Sequence, residues 1–304
     1  MTGSVAGRRL TMARPLSRIR SRPPVPRCER PLVIAHRGAS SDVAEHTLPA
    51  YLRAIETGAD GLECDVRLTR DGYLVCVHDR TVNRTSNGQG LVSELELASL
   101  AELDFRSWHD ELPGSADELL VVAPDRIAPD KTTVLTLQTL LSVVADAGRP
   151  LQLLIETKHP TRYGGLVEQE LVRLLRRFGF AGDPADRPRR GTLQVEHPVT
   201  IMSFAGVALR RVRLLAPTVP LVLLLDRPSA LRRGGSLPTG VHTAGPGIQA
   251  LRAEPGYVAR AHAAGNRVYC WTVDDPADVQ LTRELGVDAI ITNRPGQVRT
   301  QLGY

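Results

Sequence analysis

From residue 31 onward, short runs of apolar residues alternate with longer stretches in which apolar residues recur every three or four positions. Runs of the first kind predict buried β-strands, and stretches of the second kind predict amphipathic α-helices. The predicted strands comprise residues 32–36, 61–68, 73–79, 151–158, 199–204, 220–225, 267–273 and 287–292. A helix is predicted after most of them, for example over 47–58, where Thr47 is the expected N-cap and Gly58 the end.

This alternation is typical of βα units, which form mostly parallel sheets covered by helices. About 270 residues of such units fit one (β/α)₈ TIM barrel of the α/β class, which usually has ~250 residues. We therefore expect a single barrel domain over residues 31–304. Residues 80–134, after the strand that ends in His78, predict a small insertion, and residues 181–198 and 227–247 predict irregular loops.

The charge of the chain is unevenly distributed. Residues 1–30 carry eight Arg and one Glu, so the formal net charge of +5 originates there and the rest of the chain is slightly acidic. This segment contains several Pro, has no hydrophobic period and predicts a disordered tail. It is either an unstructured leader or an arm that contacts anionic lipid or nucleic acid; the absence of aromatic residues and periodicity favours the leader. The barrel itself gives no reason to expect a nucleic-acid partner.

The distribution of apolar residues and cysteines along the chain indicates where in the cell the protein is expected. Hydrophobic residues make up 42% of the chain, but no run approaches the ~20 consecutive apolar residues of a membrane span, so we expect no stable membrane insertion. The first residues lack the apolar core of a secretory signal. The four Cys form no C-x-x-C pair, which argues against a zinc ribbon. These features favour a cytoplasmic protein with reduced thiols.

Charged residues close several of the predicted strands, where the active sites of barrels collect. They are His36, Arg37, Glu63, Asp65, His78, Glu156 and Lys158. Because side chains alternate along a strand, Glu63 and Asp65 share one face. The pair Asp71-Gly72 predicts a two-residue hairpin turn, which would set His78 directly opposite Asp65.

Three converging carboxylates repel one another unless their pKa values rise or a cation binds them. Oxygen ligands suit a hard ion, Mg²⁺ or Ca²⁺, better than zinc. Two imidazoles beside that ion can act as general acid and general base near neutral pH. Arg37 and Lys158 add positive charge suited to an anionic substrate, so the set predicts a phosphoryl-transfer site.

The segments VIAHRGAS, EHTLPAYLRAIETGADGLECDVRLTRDGYLVCVHDRTVNRTSNG, LLIETK, IMSF, VYCWTV and GVDAIITNRPG together cover essentially residues 32–297. In this order they resemble the glycerophosphodiester phosphodiesterase family. The resemblance implies a (β/α)₈ barrel that uses one divalent cation to hydrolyse glycerophosphodiesters to glycerol 3-phosphate and an alcohol. It also implies a cyclic phosphate, formed by the glycerol 2-hydroxyl and then opened by water.

The resemblance further implies a role for individual residues. Glu63, Asp65 and Glu156 match the metal ligands, and His36 and His78 match the acid–base pair, without an assignment of which imidazole does which step. The positions matching phosphate-binding and pocket-lining residues are Arg37, Lys158, Phe204 and Trp271.

One motif departs from the family pattern. Where the family commonly has Glu-Asn-Thr, this chain has Glu45-His46-Thr47. His46 either replaces the hydrogen bond of the amide or is merely tolerated, and Glu45 is expected to support other site residues.

Two other functions fit the same residues. A phospholipase D-like or cyclising phosphodiesterase would act on lysophospholipids or stop at the cyclic phosphate. A non-catalytic barrel would only bind a phosphodiester. The sequence leaves open the alcohol part of the small-molecule substrate, the choice of metal and the oligomeric state.

Overall fold

The computed structural model describes residues 22–106, 132–182, 197–231 and 234–304. Eight parallel strands form a closed barrel, in the order β1, β9, β8, β7, β6, β5, β4, β2, with β2 returning to β1. The strands are β1 Leu32–His36, β2 Gly61–Leu68, β3 Leu74–Cys76, β4 Gln152–Thr157, β5 Val199–Ser203, β6 Leu221–Leu225, β7 Thr243–Pro246, β8 Arg267–Cys270 and β9 Ala289–Thr292. The predicted α/β barrel class is therefore confirmed.

Helices cover the outside of the barrel. They are α1 Leu48–Glu56, α2 Leu97–Ala101, α3 Leu137–Ala145, α4 Leu166–Arg177, α5 Gly206–Leu215, α6 Pro228–Leu231, α7 Ile248–Ala253, α8 Tyr257–Ala263, α9 Pro276–Leu285 and α10 Pro295–Leu302, with a 3₁₀ helix at Val92–Glu94. The side chain of Thr47 accepts a hydrogen bond from the backbone of Ala50, as expected of the N-cap of α1.

Apolar side chains fill both faces of the sheet. Inside the barrel Ile34, Leu154, Met202 and Val222 pack together, and a larger cluster on the outer face joins the strands to the helices. Burial on both faces explains why most strands read as continuous apolar runs. The exception is β7, whose sequence Thr-Ala-Gly-Pro carries no such run. The expectation of an irregular loop over 227–247 was wrong there, because the neighbouring strands β6 and β8 supply the pairing.

The hairpin that joins β2 to β3 has a different register from the predicted one. Val66 pairs with Cys76, so Asp65 lies opposite Val77 and not opposite His78. The turn has three residues rather than two: Thr69 bonds to Tyr73, and Gly72 takes a φ of +88°. The Gly72 N–H donates to the Thr69 carbonyl and closes a β-turn, and the left-handed glycine at its end adds the extra residue that shifts the register by one. His78 consequently lies beyond the end of β3.

Residues 22–30 contain no helix or strand, and several of them contact the barrel. The backbone N–H of Val25 donates to the carbonyl of His262 at 2.9 Å, and the Arg30 guanidinium lies over the ring of Tyr304.

Residues 1–21 of the predicted tail and residues 107–131 of the predicted insertion lie outside the described residues, so both domain limits stay predictions. Within the described ranges no helix is long and apolar enough to span a membrane. The cytoplasmic location stays a prediction.

Candidate active site

Three acidic side chains meet inside the mouth of the barrel. Glu63 and Asp65 lie on one face of β2, and the register pairs Asp65 with Glu156 of β4. One carboxylate oxygen from each residue lies within 4.8 Å of the other two. The three residues are only 1%, 1% and 6% exposed, respectively. The strand geometry expected from the alternation of side chains thus brings these three acids to one point.

Two cations lie against this acidic cluster. Lys158 Nζ is 2.8 Å from both Asp65 Oδ1 and Glu156 Oε2. Arg37 Nε is 3.2 Å from Asp65 Oδ2, but this buried N–H is not aligned for a hydrogen bond with any described residue. The backbone N–H of Arg37 donates to Glu63 Oε2 at 3.1 Å. Both cations therefore belong to the same site, and Arg37 retains a donor for a ligand.

The acids are not fully compensated by these cations. Burial and the charge of Asp65 raise the pKa of Glu63 well above its ordinary value and that of Glu156 to about 7. Burial also opposes the ionisation of Asp65, but the hydrogen bond from His46 and the charge of Lys158 lower its pKa well below the ordinary range. A hard cation bound by the three carboxylates would relieve the remaining repulsion, so the donor set fits a divalent metal ion.

The imidazole of His36 has a fixed tautomer. Its Nδ1 lies 2.7 Å from Asn293 Oδ1, and the amide nitrogen of Asn293 donates to Asp274 Oδ2 at 2.5 Å. Because the amide oxygen can only accept, His36 Nδ1 carries the proton and Nε2 carries the lone pair. Burial, followed by the charge of Arg37, lowers the pKa of His36 to about 4. This imidazole is neutral near pH 7.

His78 has a carboxylate partner instead. Its Nδ1 lies 2.7 Å from Asp79 Oδ1, and Arg84 Nε donates to Asp79 Oδ2 at 2.6 Å. Arg84 also reaches Glu45, which binds Arg37 in turn. Burial lowers the pKa of His78, whereas the charge of Asp65 and the Asp79 hydrogen bond oppose that shift. The hydrogen bonds from Arg84 and His78 outweigh burial and hold the pKa of Asp79 at about 2, so this carboxylate stays ionised.

His46 lies behind the acidic cluster and is 5% exposed. Its Nε2 is 2.9 Å from Asp65 Oδ2, and its Nδ1 is 2.8 Å from the hydroxyl oxygen of Tyr51. That hydroxyl donates to the carbonyl of Glu63 at 3.1 Å. His46 therefore links both acidic residues of β2 to helix α1.

Two aromatic side chains flank the mouth. Phe204 follows β5, and Trp271 follows β8. Their ring centroids are 5.5 Å apart with edge-to-face geometry. Trp271 Nε1 donates to the carbonyl of Gly245, while Phe204 is 44% exposed. They offer an apolar surface beside the charged site.

The described residues thus place the predicted acids, histidines and cations in one region, and the roles of these residues stay predictions. The structure adds Asn293, Asp274 and Arg84 to this region, and the sequence analysis identified neither Asp274 nor Arg84. Asp274 follows directly on the apolar run that ends in Val273, so the strand-end rule could have identified it. Arg84 lies in the loop after His78, where no period marks a functional residue.

Comparison with known proteins gives a consistent result. The sequence profile of the Glycerophosphoryl diester phosphodiesterase family matches residues 36–297. A protein of Mycobacterium tuberculosis H37Rv, named probable glycerophosphodiester phosphodiesterase 1, is 46% identical over 273 residues, which are 90% of this chain and 92% of that protein. The glycerophosphodiester phosphodiesterase of Bacillus subtilis 168 is 32% identical over 271 residues, covering 88% and 85% of the two chains.

Solved structures share the fold. An Oleispira antarctica phosphodiesterase in complex with the product sn-glycerol-3-phosphate superposes with a TM-score of 0.69 at 23% identity, covering 90% of this chain and 97% of that one. A glycerophosphodiester phosphodiesterase from Agrobacterium tumefaciens gives a TM-score of 0.67 at 21% identity, covering 89% and 100%.

Proposed function

Because this chain belongs to the glycerophosphoryl diester phosphodiesterase family and is an enzyme of that class, we propose that it hydrolyses glycerophosphodiesters by metal-assisted acid–base catalysis with two histidines. The products are glycerol 3-phosphate and an alcohol. The observation that carries this proposal is the convergence of three buried carboxylates with two imidazoles that are each anchored through Nδ1.

Glu63, Asp65 and Glu156 would hold the metal ion, either Mg²⁺ or Ca²⁺. Such an ion supplies positive charge that lowers the pKa of a bound hydroxyl and offsets charge that develops on the phosphate. The raised pKa values of Glu63 and Glu156 support this assignment, since binding a cation would keep both residues ionised.

The phosphate would lie between Arg37 and Lys158. Arg37 Nε is a buried donor without an acceptor among the described residues, and a phosphate oxygen would satisfy it. The charges of Asp65 and Glu156 raise the pKa of Lys158 against the effect of its burial, so its ammonium group persists at working pH. Phe204 and Trp271 would line the apolar part of the substrate.

His36 is the general base of the first step. Its neutral Nε2 takes the proton of the glycerol 2-hydroxyl, whose oxygen attacks phosphorus. The Nδ1 hydrogen bond to Asn293 keeps the lone pair on Nε2.

His78 is the general acid of that step. Its Nε2 proton goes to the leaving alkoxide as the phosphorus–oxygen bond breaks, and Asp79 stabilises the imidazolium beforehand. Water then opens the cyclic phosphate with the two histidines in exchanged roles, which returns both protons to their starting positions.

A substrate panel with and without EDTA tests the proposal. Glycerophosphocholine and glycerophosphoethanolamine should give glycerol 3-phosphate by ³¹P NMR. EDTA should reduce the rate at least about 100-fold, and Mg²⁺ or Ca²⁺ should restore it. A thermal scan in EDTA separates metal loss from unfolding. Full turnover in EDTA would contradict the metal assignment. Hydrolysis of lysophospholipids alone, or accumulation of cyclic phosphate, would favour the phospholipase-like alternative, and binding without turnover would favour the non-catalytic one.

A further inference from the structure

A small, open pocket with a cavity volume of about 40 Å³ lies next to the acidic cluster. Lys158 belongs to both: its Nζ binds Asp65 and Glu156, and the residue also lines the pocket wall. Arg67 lines the same wall. It follows Asp65 by two positions on β2, so it lies on the same side of the strand, about 7 Å further along. The pocket thus adjoins the proposed active site through Lys158, the residue that the two share.

The walls of this pocket carry an excess of positive charge. Besides Lys158 they include Arg67, Arg80 and Arg162. Arg162 binds Glu94 at 3.0 Å. Across the described residues neither Arg67 nor Arg80 forms an ion pair with a carboxylate. Both guanidinium groups therefore lack a carboxylate at ion-pair distance, although the charges of Asp65, Asp79 and Glu156 act on Arg67 from further away.

Arg67 is held in position without being neutralised. Its Nε and Nη2 donate to the carbonyl oxygen of His78 at 2.9 and 2.7 Å. A guanidinium has five N–H donors, so three remain available to a ligand. A backbone carbonyl orients the group but leaves its positive charge, which is the arrangement that favours a bound anion such as a phosphate.

We propose that this pocket binds a second anionic group, a phosphomonoester carried by the alcohol part of the substrate. The inference rests on the proposed function, since it assumes that the scissile phosphate lies at Lys158. It predicts that the enzyme prefers glycerophosphodiesters whose leaving alcohol is itself phosphorylated. The same wall chemistry would also accept free inorganic phosphate, and the experiment distinguishes the two sources.

The test uses a matched pair of substrates, glycerophosphoglycerol and the same diester with a terminal phosphate. At low salt the wild-type protein should turn over the phosphorylated substrate with a kcat/KM about tenfold higher. Arg80→Gln should reduce that preference about fivefold, and Arg80→Glu should abolish it. The preference should also weaken at high salt because the mouth is exposed. Arg283→Gln, an exposed arginine on α9 that does not line the pocket, is the matched control and should leave the preference unchanged.

Calorimetry of both diesters in EDTA measures binding without turnover, so it gives the contribution of the pocket to affinity independently of catalysis. If the phosphorylated diester binds more tightly and Arg80→Glu removes this difference, the pocket proposal is supported, even if neither diester is hydrolysed. In that case only the proposed function is contradicted. Equal binding and equal turnover of the two diesters would overturn the pocket proposal. A preference that Arg80→Glu does not change would overturn it too. In either case, normal hydrolysis of glycerophosphoglycerol would still support the proposed function. Inorganic phosphate that binds with the same dependence on Arg80, without any preference between the diesters, would also overturn it.

Discussion

The two histidines of the site are anchored in the same way to chemically different partners. Both use Nδ1, and both contacts are 2.7 Å long. His36 meets the neutral amide of Asn293 and His78 meets the carboxylate of Asp79, and both imidazoles are only partly buried. An amide fixes a tautomer but does little to stabilise a charged ring, while a carboxylate does both.

The difference separates the roles of two otherwise equivalent side chains. A buried imidazole that resists protonation suits the base of the first step, and an imidazole beside an anion suits the acid. The carboxylate side also carries more charge around it, since Arg84 joins Asp79 to Glu45. The environments of the two rings support the proposed assignment of His36 as base and His78 as acid, which the sequence left open.

Replacing either histidine by Ala should give the largest loss of activity, and the two variants should differ in how they respond to the leaving group. With glycerophosphocholine both His36→Ala and His78→Ala should lower kcat at least about 1,000-fold, as expected for loss of a general acid or base. With glycerol 3-phosphate p-nitrophenyl ester, whose leaving group needs no proton, His78→Ala should release p-nitrophenolate at near the wild-type rate, and His36→Ala should stay inactive.

Circular dichroism should show that both of these variants are folded. In His78→Ala the cyclic phosphate should accumulate, because the second step then lacks its base. Recovery of p-nitrophenolate release in His36→Ala, and not in His78→Ala, would reverse the assignment.

Replacing the hydrogen-bond partners of the two histidines, Asp79 and Asn293, should give intermediate losses of activity, and the two variants should differ in their pH dependence. Asp79→Asn removes the anion that favours protonated His78, so the pKa of His78 should fall further. The alkaline limb of the kcat/KM profile, where the acid loses its proton, should then move to lower pH, with a loss of about 10- to 100-fold at pH 8. Asn293→Ala should lower kcat by a similar factor without moving that limb.

Arg84→Gln is the control for this pair of variants. It removes the ion pair of Asp79 but leaves the Asp79 carboxylate beside His78, so the alkaline limb should stay in place or move to higher pH. Identical pH profiles for Asp79→Asn and Asn293→Ala would contradict the proposed difference between the two histidines.

The elements in which apolar and polar residues recur with a regular spacing could be predicted from the sequence. The strands buried on both faces read as apolar runs, and the alternation on β2 placed Glu63 and Asp65 together. The hairpin register could not be obtained, because Asp71-Gly72 is compatible with a two- or a three-residue turn. Asp71 binds both Thr69 and the backbone of Leu97, which are contacts of the folded structure that accompany the longer turn.

The partners of the two histidines were harder to predict than the histidines themselves. Asn293 and His36 are at opposite ends of the chain and meet only because β9 pairs with β1 as the barrel closes. Arg84 acts through side chains on two separate loops. Hydrogen-bond partners of this kind depend on tertiary geometry, and a local pattern such as the strand-end rule marks only those that directly follow a strand.

Substitutions at His46 should have the smallest effect on catalysis, because its ring lies behind the acidic cluster, where it bonds to Asp65 and Tyr51. His46→Asn can keep one of the two hydrogen bonds, and Asp65 retains Lys158 and Arg37 as partners. We expect kcat/KM to change less than about fivefold and the free energy of unfolding to fall by about 1 kcal/mol. His46→Leu loses both bonds and leaves the Tyr51 and Asp65 groups short of a partner, so it should lose about 2–3 kcal/mol.

Denaturant unfolding and titration of metal binding by calorimetry check these values. A positioning role for His46 requires that His46→Leu also weaken metal binding, by about tenfold, whereas His46→Asn restores most of it. If both variants bind metal as the wild type does and differ only in stability, His46 packs helix α1 against the barrel and does not position Asp65.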